Sequence, residues 1–198
     1  QVQLSHEVET GLSYGVNAGY VAEKNALFRG SSSGAFGNTN DNVSQYVSLS
    51  AAWKINEKTN IFATYTDMNV KPSFSGESVF DNWSRVYANS FILGFTIGSQ
   101  IIDGDKLVFS FGQPLRVRKS EVDITLPVGR TLSGDVLQET QRVNLIPKGR
   151  QIDIQLAYSL KTRNQSEITS FAGLSLEPGH NGSASPEASV GFKWGLKF

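Results

Sequence analysis

The most regular feature of the chain is an alternation of apolar and polar positions with a period of two. Successive side chains of a β-strand point to opposite faces, so this alternation predicts strands with one apolar and one polar face. No interior segment has the spacing of an amphipathic helix. The alternation is strong at residues 12–20, 47–55, 152–160 and 190–198, and weaker at residues 61–70, 91–97, 107–117 and 168–176. The pattern therefore predicts about eight strands.

The connections between these segments fall into two classes of length. The short connections carry the Asn, Asp and Gly residues that are typical of hairpin turns. The short connections are residues 56–58, 102–105 and 161–165, and the long ones are residues 22–44, 71–84, 112–149 and 177–187. Short and long connections alternate along the chain, and in an antiparallel meander alternate connections lie at the same end. We expect one end with short turns, one end with long loops, and both chain termini at the short-turn end.

Two architectures have strands of this kind. A soluble lipocalin-like barrel that binds a small ligand holds its apolar residues inside, whereas a transmembrane barrel turns them outward to lipid. The unequal loops favour the transmembrane barrel, because outer-membrane barrels have short periplasmic turns and longer extracellular loops. Aromatic residues near the strand ends favour it too, because such rings prefer the membrane–water interface. The residues expected in these aromatic girdles are Tyr14, Tyr20, Tyr46, Trp53 and Tyr158.

The polar faces of the predicted strands are rich in Gly, Ser and Ala, as a narrow barrel lumen requires. Lys193, Lys197 and Asp153 fall on these faces, so they are expected to face the lumen. An unpaired charge in a narrow lumen is costly, so these side chains should form pairs or reach water.

The last strand carries a candidate assembly signal. Its apolar positions run without interruption to a terminal aromatic residue, which resembles the C-terminal strand by which bacterial outer-membrane proteins are recognised. The residues of this signal are Val190, Phe192, Trp194, Leu196 and Phe198. Outer-membrane lipid and the outer-membrane assembly machinery are therefore the expected partners.

The stretch between Leu107 and Leu160 exceeds what two strands and a turn need, which is about 25 residues for a pair that spans a membrane. Its composition keeps strand propensity rather than loop character, so it predicts a hairpin that projects beyond the membrane. Pro114 and Pro147 should mark a bulge or bend in each arm, because proline removes a ladder donor. Such a hairpin would expose apolar side chains to solvent, and exposed apolar patches are typical of protein-binding sites. A protein partner is therefore expected on the hairpin between Arg116 and Ile146.

Charge and candidate chemistry narrow the function classes. The chain has 18 Lys plus Arg and 18 Asp plus Glu, which removes the electrostatic case for nucleic-acid binding. There is no cysteine, so disulfides and thiolate metal sites are excluded, and neither a metal nor a cofactor site is predicted. Ser5, His6 and Glu7 have the residue types of a hydrolase triad. Neighbours on a strand face opposite sides, however, so an enzyme is not expected. His180 follows Pro-Gly in a loop and is expected to be solvated.

The C-terminal half contains a series of distinctive short motifs. They are Phe-Ser-Phe-Gly-Gln-Pro-Leu-Arg-Val at residues 109–117, Leu-Pro-Val-Gly-Arg at 126–130, Gly-Asp-Val at 134–136, Gly-Arg-Gln-Ile-Asp at 149–153 and Pro-Gly-His at 178–180. Together they resemble the end of autotransporter translocator barrels, nearest to the barrels that follow subtilisin-like passenger domains in proteobacteria. Gln-Pro-Leu-Arg-Val is the most specific part, and the N-terminal half is similar only in strand character.

The resemblance implies a membrane platform without protease activity, because that activity belongs to the passenger. Translocators of this family have twelve strands around a pore, against about eight predicted here. Either upstream strands are missing, so that residues 1–198 are the C-terminal part of a longer chain, or the protein is a shortened relative that kept the barrel and lost secretion.

The sequence thus predicts one domain, an all-β antiparallel up-and-down barrel of about eight strands in a Gram-negative outer membrane, with both termini periplasmic. Its expected role is structural, as an anchor that presents long extracellular loops, with possible membership of a larger assembly. The alternatives are a membrane-embedded lipid hydrolase and a soluble small-ligand barrel.

Overall fold

The computed structural model describes residues 1–8, 10–27, 30–34, 36–161 and 166–195. These residues form antiparallel β-sheets without an α-helix, and one 3₁₀ turn at Pro178–His180. The strands are β1 Val2–Glu7, β2 Leu12–Glu23, β3 Phe36–Thr39, β4 Asn42–Lys54, β5 Thr59–Val70, β6 Phe74–Ser78, β7 Phe80–Asp81, β8 Val86–Gly98, β9 Lys106–Lys119, β10 Glu121–Arg130, β11 Val136–Asn144, β12 Ile152–Lys161, β13 Glu167–Leu176 and β14 Glu187–Gly195.

Nine of these strands form the main sheet, in the order β1-β2-β4-β5-β8-β9-β12-β13-β14. Each strand pairs with its neighbours antiparallel, so the sheet is a meander. All eight predicted strands are present, and the predicted all-β antiparallel class is confirmed. The count is corrected to nine, because β1 pairs with β2. The sequence pattern missed β1 because its six residues contain only two large apolar side chains, Val2 and Leu4.

The main sheet is open in the described structure. Its first and last strands, β1 and β14, each pair on one side only and are the two edges of the sheet. The predicted closed barrel of eight strands is therefore not what the described residues form.

The register of the main sheet shifts steadily in one direction. A single row of paired residues runs from Ser13, the second residue of β2, to Ser189, the third residue of β14. β2 begins at the short-turn end, whereas β14 begins at the long-loop end. The row therefore climbs from one end of the sheet to the other, and this stagger is the geometry that tilts the strands of a barrel against its axis.

The two ends of the sheet differ as expected. The tight turn at residues 56–58 is held by Asn56, whose Oδ1 accepts hydrogen bonds from the N–H groups of Lys58 at 2.9 Å and Thr59 at 2.8 Å. The expected position of the N-terminus needs a correction. β1 starts beside Gly19, well along β2, and runs from there toward the short turns. The strand end at Gly195, which pairs with Glu167, does lie at the short-turn end.

The long loops contain further strands rather than irregular chain. β3 pairs with β6, and β7, β10 and β11 form a three-stranded sheet. The tightest packing of the molecule lies where these small sheets meet the main sheet, and the apolar side chains buried there are Val70, Val86, Ala88 and Val122. Among the described residues these four form the whole buried apolar core. The part of the main sheet toward the short-turn end is therefore a single layer.

The predicted hairpin is present as β10 and β11, and β9 leads into it with a break only at Ser120. Pro114 lies in a bulge, as predicted, because two residues of β9 oppose Ser90 of β8 between the pairs Gln113–Phe91 and Arg116–Asn89. Pro147 lies in the bend between β11 and β12.

A buried carboxylate organises one short turn. Asp105 is 3% exposed, and its oxygens accept hydrogen bonds from the backbone N–H groups of Gln100, Ile101 and Ile102 and from the Tyr158 hydroxyl at 2.8–3.0 Å. Burial by itself raises the pKa of Asp105, but the hydrogen bonds from Ile102, Gln100, Ile101 and Tyr158 outweigh it and hold this pKa well below its usual range.

We predict that Asp105→Asn lowers the urea midpoint of unfolding at neutral pH. A carboxyl group with a depressed pKa in the folded state stabilises the fold above its unfolded pKa of about 3.9, and this contribution is lost as the pH falls through the folded pKa. The midpoints of wild type and variant should therefore converge in acid. Asp103→Asn is the matched control, since Asp103 is exposed in the same turn. An equal loss from both variants would contradict the assigned role of Asp105.

Candidate functional site

One face of the main sheet is apolar and largely uncovered. Exposed large apolar side chains on this outer face range from Leu12 at 37% to Val190 at 85% of their full accessible area. A soluble sheet normally packs its apolar face against another layer, and no described element packs on this one. The large apolar side chains that it exposes are Val2, Leu4, Leu12, Tyr14, Val16, Tyr20, Val43, Val47, Leu49, Trp53, Ile61, Tyr65, Leu93, Leu156, Leu174, Leu176, Val190, Phe192 and Trp194.

Four of the five residues predicted for the aromatic girdle lie on this outer face. Tyr14, Trp53 and Tyr158 lie near the short-turn end, and Tyr20 lies toward the long-loop end. Tyr46 is a correction. It differs by one in strand parity from Trp53 and lies on the opposite face, with its ring against Gly19.

The opposite face is polar and concave. A cavity of about 790 Å³ at the short-turn end is lined together by Glu7 of β1, Lys54 of β4, Lys106 of β9, Ser159 of β12 and Glu167 of β13. Strands from nearly the whole width of the sheet share this cavity, so the sheet curls around its polar face. The concave surface carries charges of both signs.

The residues predicted to face the lumen lie on this concave face where the structure describes them. Asp153 accepts hydrogen bonds from the Ser175 hydroxyl at 2.7 Å and from Gln151 Nε2 at 2.8 Å, so neutral donors satisfy its carboxylate. Lys193 pairs in register with Thr169. Lys197 lies outside the described residues, as do Leu196 and Phe198 of the candidate assembly signal.

Aromatic rings explain several glycines of the concave face. Phe62 covers Gly94 and Phe171 covers Gly191, in each case so closely that a Cβ at the glycine would overlap the ring. These glycines are therefore needed to let a ring lie across the neighbouring strand. The sequence pattern indicated small residues but not the rings that cover them.

A hydrogen-bonded clamp joins the projecting hairpin to the rim of the main sheet. Arg116 donates from Nε to the Gly149 carbonyl at 2.9 Å and from Nη2 to the Pro147 carbonyl at 2.8 Å. His180 Nδ1 accepts from the N–H of Gln151 at 2.9 Å, which leaves Nε2 to donate to the Leu115 carbonyl at 3.1 Å. The clamp consists of Leu115, Arg116, Pro147, Gly149, Gln151 and His180.

The clamp brings together three of the motif segments that are far apart in the chain. Gly149 donates from its N–H to the His180 carbonyl at 2.9 Å, and a Cβ at Gly149 would overlap the backbone of Asn181 and Gly182. The prediction that His180 is a solvated loop residue is wrong, because both ring nitrogens are bonded to the backbone. No local signal could have shown this, since the partners lie up to 65 residues away.

The fold does not bring the three residues of the hydrolase alternative together on one face. β1 is a regular strand, so His6 lies on the outer face, where its ring is 5.6 Å from that of Tyr14, while Ser5 and Glu7 lie on the concave face. Within the described part of the chain, no group of three His, Cys, Asp or Glu side chains could hold a metal ion. No helix among the described residues is long and apolar enough to cross a membrane.

Comparison of the chain with protein-family models, with curated proteins and with solved structures finds no match in any of the three. The resemblance to autotransporter barrels therefore stays a prediction from the motifs.

We predict that Gly149→Ala loosens the clamp. The added methyl group meets backbone atoms, and overpacking of this kind costs about 1–3 kcal/mol. Hydrogen exchange at the Gln151 amide should accelerate by about tenfold or more. Gly182→Ala is the matched control from the same contact, because its Cβ would lie 3.6 Å from Gly149 Cα, an ordinary separation. Unchanged exchange in Gly149→Ala would show that the two loops are not held as described.

Proposed function

We propose that the main sheet is the wall of a transmembrane β-barrel in a Gram-negative outer membrane, with a structural and anchoring role related to autotransporter translocator domains. The observation that carries the proposal is the pair of faces: an apolar convex face on which no described element packs, and a concave face lined with polar and charged groups. Lipid is the environment that stabilises the first face, and water or paired charge stabilises the second.

The same pair of faces argues against the soluble small-ligand barrel. Such a barrel needs an apolar cavity that holds its ligand. Here the cavity of the concave face is lined by charged residues such as Glu7, Lys54 and Glu167. We assign no catalytic role, because the hydrolase-like residues of β1 are divided between the two faces.

The two open edges set a condition on closure. In lipid every strand edge must be paired, because no water is present to bond its backbone. β1 and β14 are the first and ninth strands of an antiparallel meander, so they run in the same direction. Antiparallel closure therefore needs an odd number of further strands. Three would give twelve, the number in the translocators that the motifs resemble.

A second copy of this chain is a less suitable partner for the open edges of β1 and β14. Two copies that face the same way across a membrane are related by an axis along the membrane normal, so β14 of one would meet β1 of the other in parallel. Transmembrane barrels are built from antiparallel strands, so we favour strands from polypeptide outside the described residues.

The proposal gives the projecting hairpin the role of a protein-binding surface, on the segment that starts at Arg116 and ends at Ile146. Support comes from apolar side chains that the hairpin leaves open to solvent around its tip. These are Leu126, Val128, Leu132, Val136 and Leu137.

The proposal is tested by refolding the full-length protein into phosphatidylcholine vesicles. Strand-rich circular dichroism, protease protection of the main sheet and slower migration of the heated than of the unheated sample on gels are expected. A chain that stays in solution as a monomer without lipid would contradict membrane insertion.

Leu49→Arg should destabilise the inserted protein by about 2–4 kcal/mol, because it places a cation on the lipid face near the middle of β4. Ser50→Arg, one residue further, points to the concave face, where a cavity of about 420 Å³ offers room. Its expected cost is about 1 kcal/mol or less. Urea unfolding in vesicles measures both values, and similar losses would mean that the two faces have been assigned wrongly.

Ser133→Cys should react with a membrane-impermeant maleimide on intact cells, because Ser133 is exposed in the hairpin turn at the long-loop end. The chain has no other cysteine to interfere. Ser120→Cys is the control that should stay unlabelled, since Ser120 is 2% exposed. Labelling of Ser133→Cys only after the outer membrane is opened would reverse the proposed orientation.

A further inference from the structure

The charged residues of the outer face all lie in one place. Pleat and register assign every Asp, Glu, Lys or Arg of the main sheet to one of the two faces. Those of the outer face, among the described residues, are confined to the long-loop ends of β5 and β9, the two strands that flank β8. They are Asp67, Arg116, Arg118 and Lys119, and Arg85 lies just before β8.

This charged area begins at a sharp boundary. The row that joins Tyr65 to Phe91 is aromatic, whereas the next row joins Asp67 to Asn89 and Arg116. The row after it joins Asn69 to Tyr87, and Tyr87 pairs with Lys119. β5 and β8 change from apolar to polar at this height, and β9 changes one row earlier, because Gln113 pairs with Phe91. We call the area above this boundary the arginine ledge, defined as Asp67, Arg85, Tyr87, Arg118 and Lys119.

The ledge presents its cations outward. Arg118 lies in a bulge of β9, reaches across β8 to Asp67 at 2.8 Å, and holds its guanidinium carbon 5.4 Å from the centre of the Tyr87 ring. The side chain is still 46% exposed in that position. Stacking on an aromatic ring and pairing fix the guanidinium group at a defined height above the apolar face.

The cations of the ledge outnumber its partners. Only Nη2 of Arg118 bonds to Asp67, and only Nη1 of Arg85 is bonded, to Asn69 Oδ1 at 2.7 Å. Within the described residues the other guanidinium nitrogens and the Lys119 ammonium have no partner. Arg116 is occupied by the clamp, and the nearby acids Glu121 and Asp123 are bound by Arg142. Three cations against Asp67 leave the ledge with an excess of positive charge.

We propose that the arginine ledge binds the phosphate group of a membrane lipid whose acyl chains lie along the apolar face below it. The inference rests on the proposed membrane location and adds the lipid class and its site. Guanidinium and ammonium groups are the protein's usual phosphate ligands, and basic groups at the membrane surface attract anionic headgroups. The boundary between the Tyr65 row and the Asp67 row sets the phosphate at the level where chains give way to headgroups.

The test uses the full-length protein in phosphatidylcholine vesicles that contain a minor fraction of either phosphatidic acid or diacylglycerol, which have the same chains with and without the phosphate. Native mass spectrometry of the released protein measures which lipid is retained. We expect retention of phosphatidic acid over diacylglycerol. The double variant Arg118→Gln with Lys119→Gln should reduce it about tenfold or more.

Two comparisons keep the test specific. Lys106→Gln with Lys193→Gln removes the same charge from the concave face and should leave retention unchanged. Asp67→Asn removes the acid that competes for Arg118 and should increase retention, so the test does not depend only on variants that break an ion pair. Equal retention by all variants would overturn the proposal, as would displacement of phosphatidic acid by free glycerol phosphate at equal concentration.

The outcome separates this inference from the function on which it rests. Insertion into phosphatidylcholine without any preference for phosphatidic acid refutes the ledge and leaves the barrel proposal intact. Failure to insert into any of the vesicles refutes both.

Discussion

The two faces of the single-layer main sheet have opposite polarity, so a solvent that suits one face does not suit the other, and the other parts of the fold are subject to this constraint. The convex face of the main sheet exposes residues such as Leu49, Val190 and Phe192 with no layer to cover them, while the concave face gathers Glu7, Lys54 and Asp153. Burial of apolar area is the main source of folding free energy, so a sheet of this kind needs an apolar environment on its outer side. On the inner side, the sheet curves around its polar face and glycines make room for aromatic rings. At the short-turn end, the buried Asp105 holds one of the turns.

The long-loop end supplies what the single layer lacks. Val70, Val86, Ala88 and Val122 form a small core there, and the clamp around His180 ties the hairpin to the rim through backbone bonds. The clamp joins segments from three parts of the chain, so it cross-links this end of the sheet. The arginine ledge lies on the outer side of the same end.

The local sequence pattern predicted some features of the fold correctly and missed others. Alternation found eight strands, and proline chemistry placed the bulge at Pro114, because both depend on near neighbours in the chain. β1 was missed because a six-residue strand with two large apolar side chains carries too little pattern. Tyr46 was assigned to the wrong face although its parity was readable. The role of His180 depends on partners brought together by the fold, and no spacing in the sequence reveals it. Asp105 has three partners in its own turn, and only its contact with Tyr158 depends on the fold.

The hairpin also bears on how quickly the sheet can form. Every pairing in the main sheet joins strands that are close in the chain, except that β9 and β12 are separated by the whole projecting segment, with Gly112 opposite Asp153. Closing so long a loop is the largest entropic step in the meander. Pairing of β10 with β11 shortens this loop, because it brings the ends of the segment together, where Leu145 donates from its N–H to the Ser120 carbonyl at 3.0 Å. The projecting element therefore lowers the entropic cost of pairing β9 with β12, independently of anything it binds.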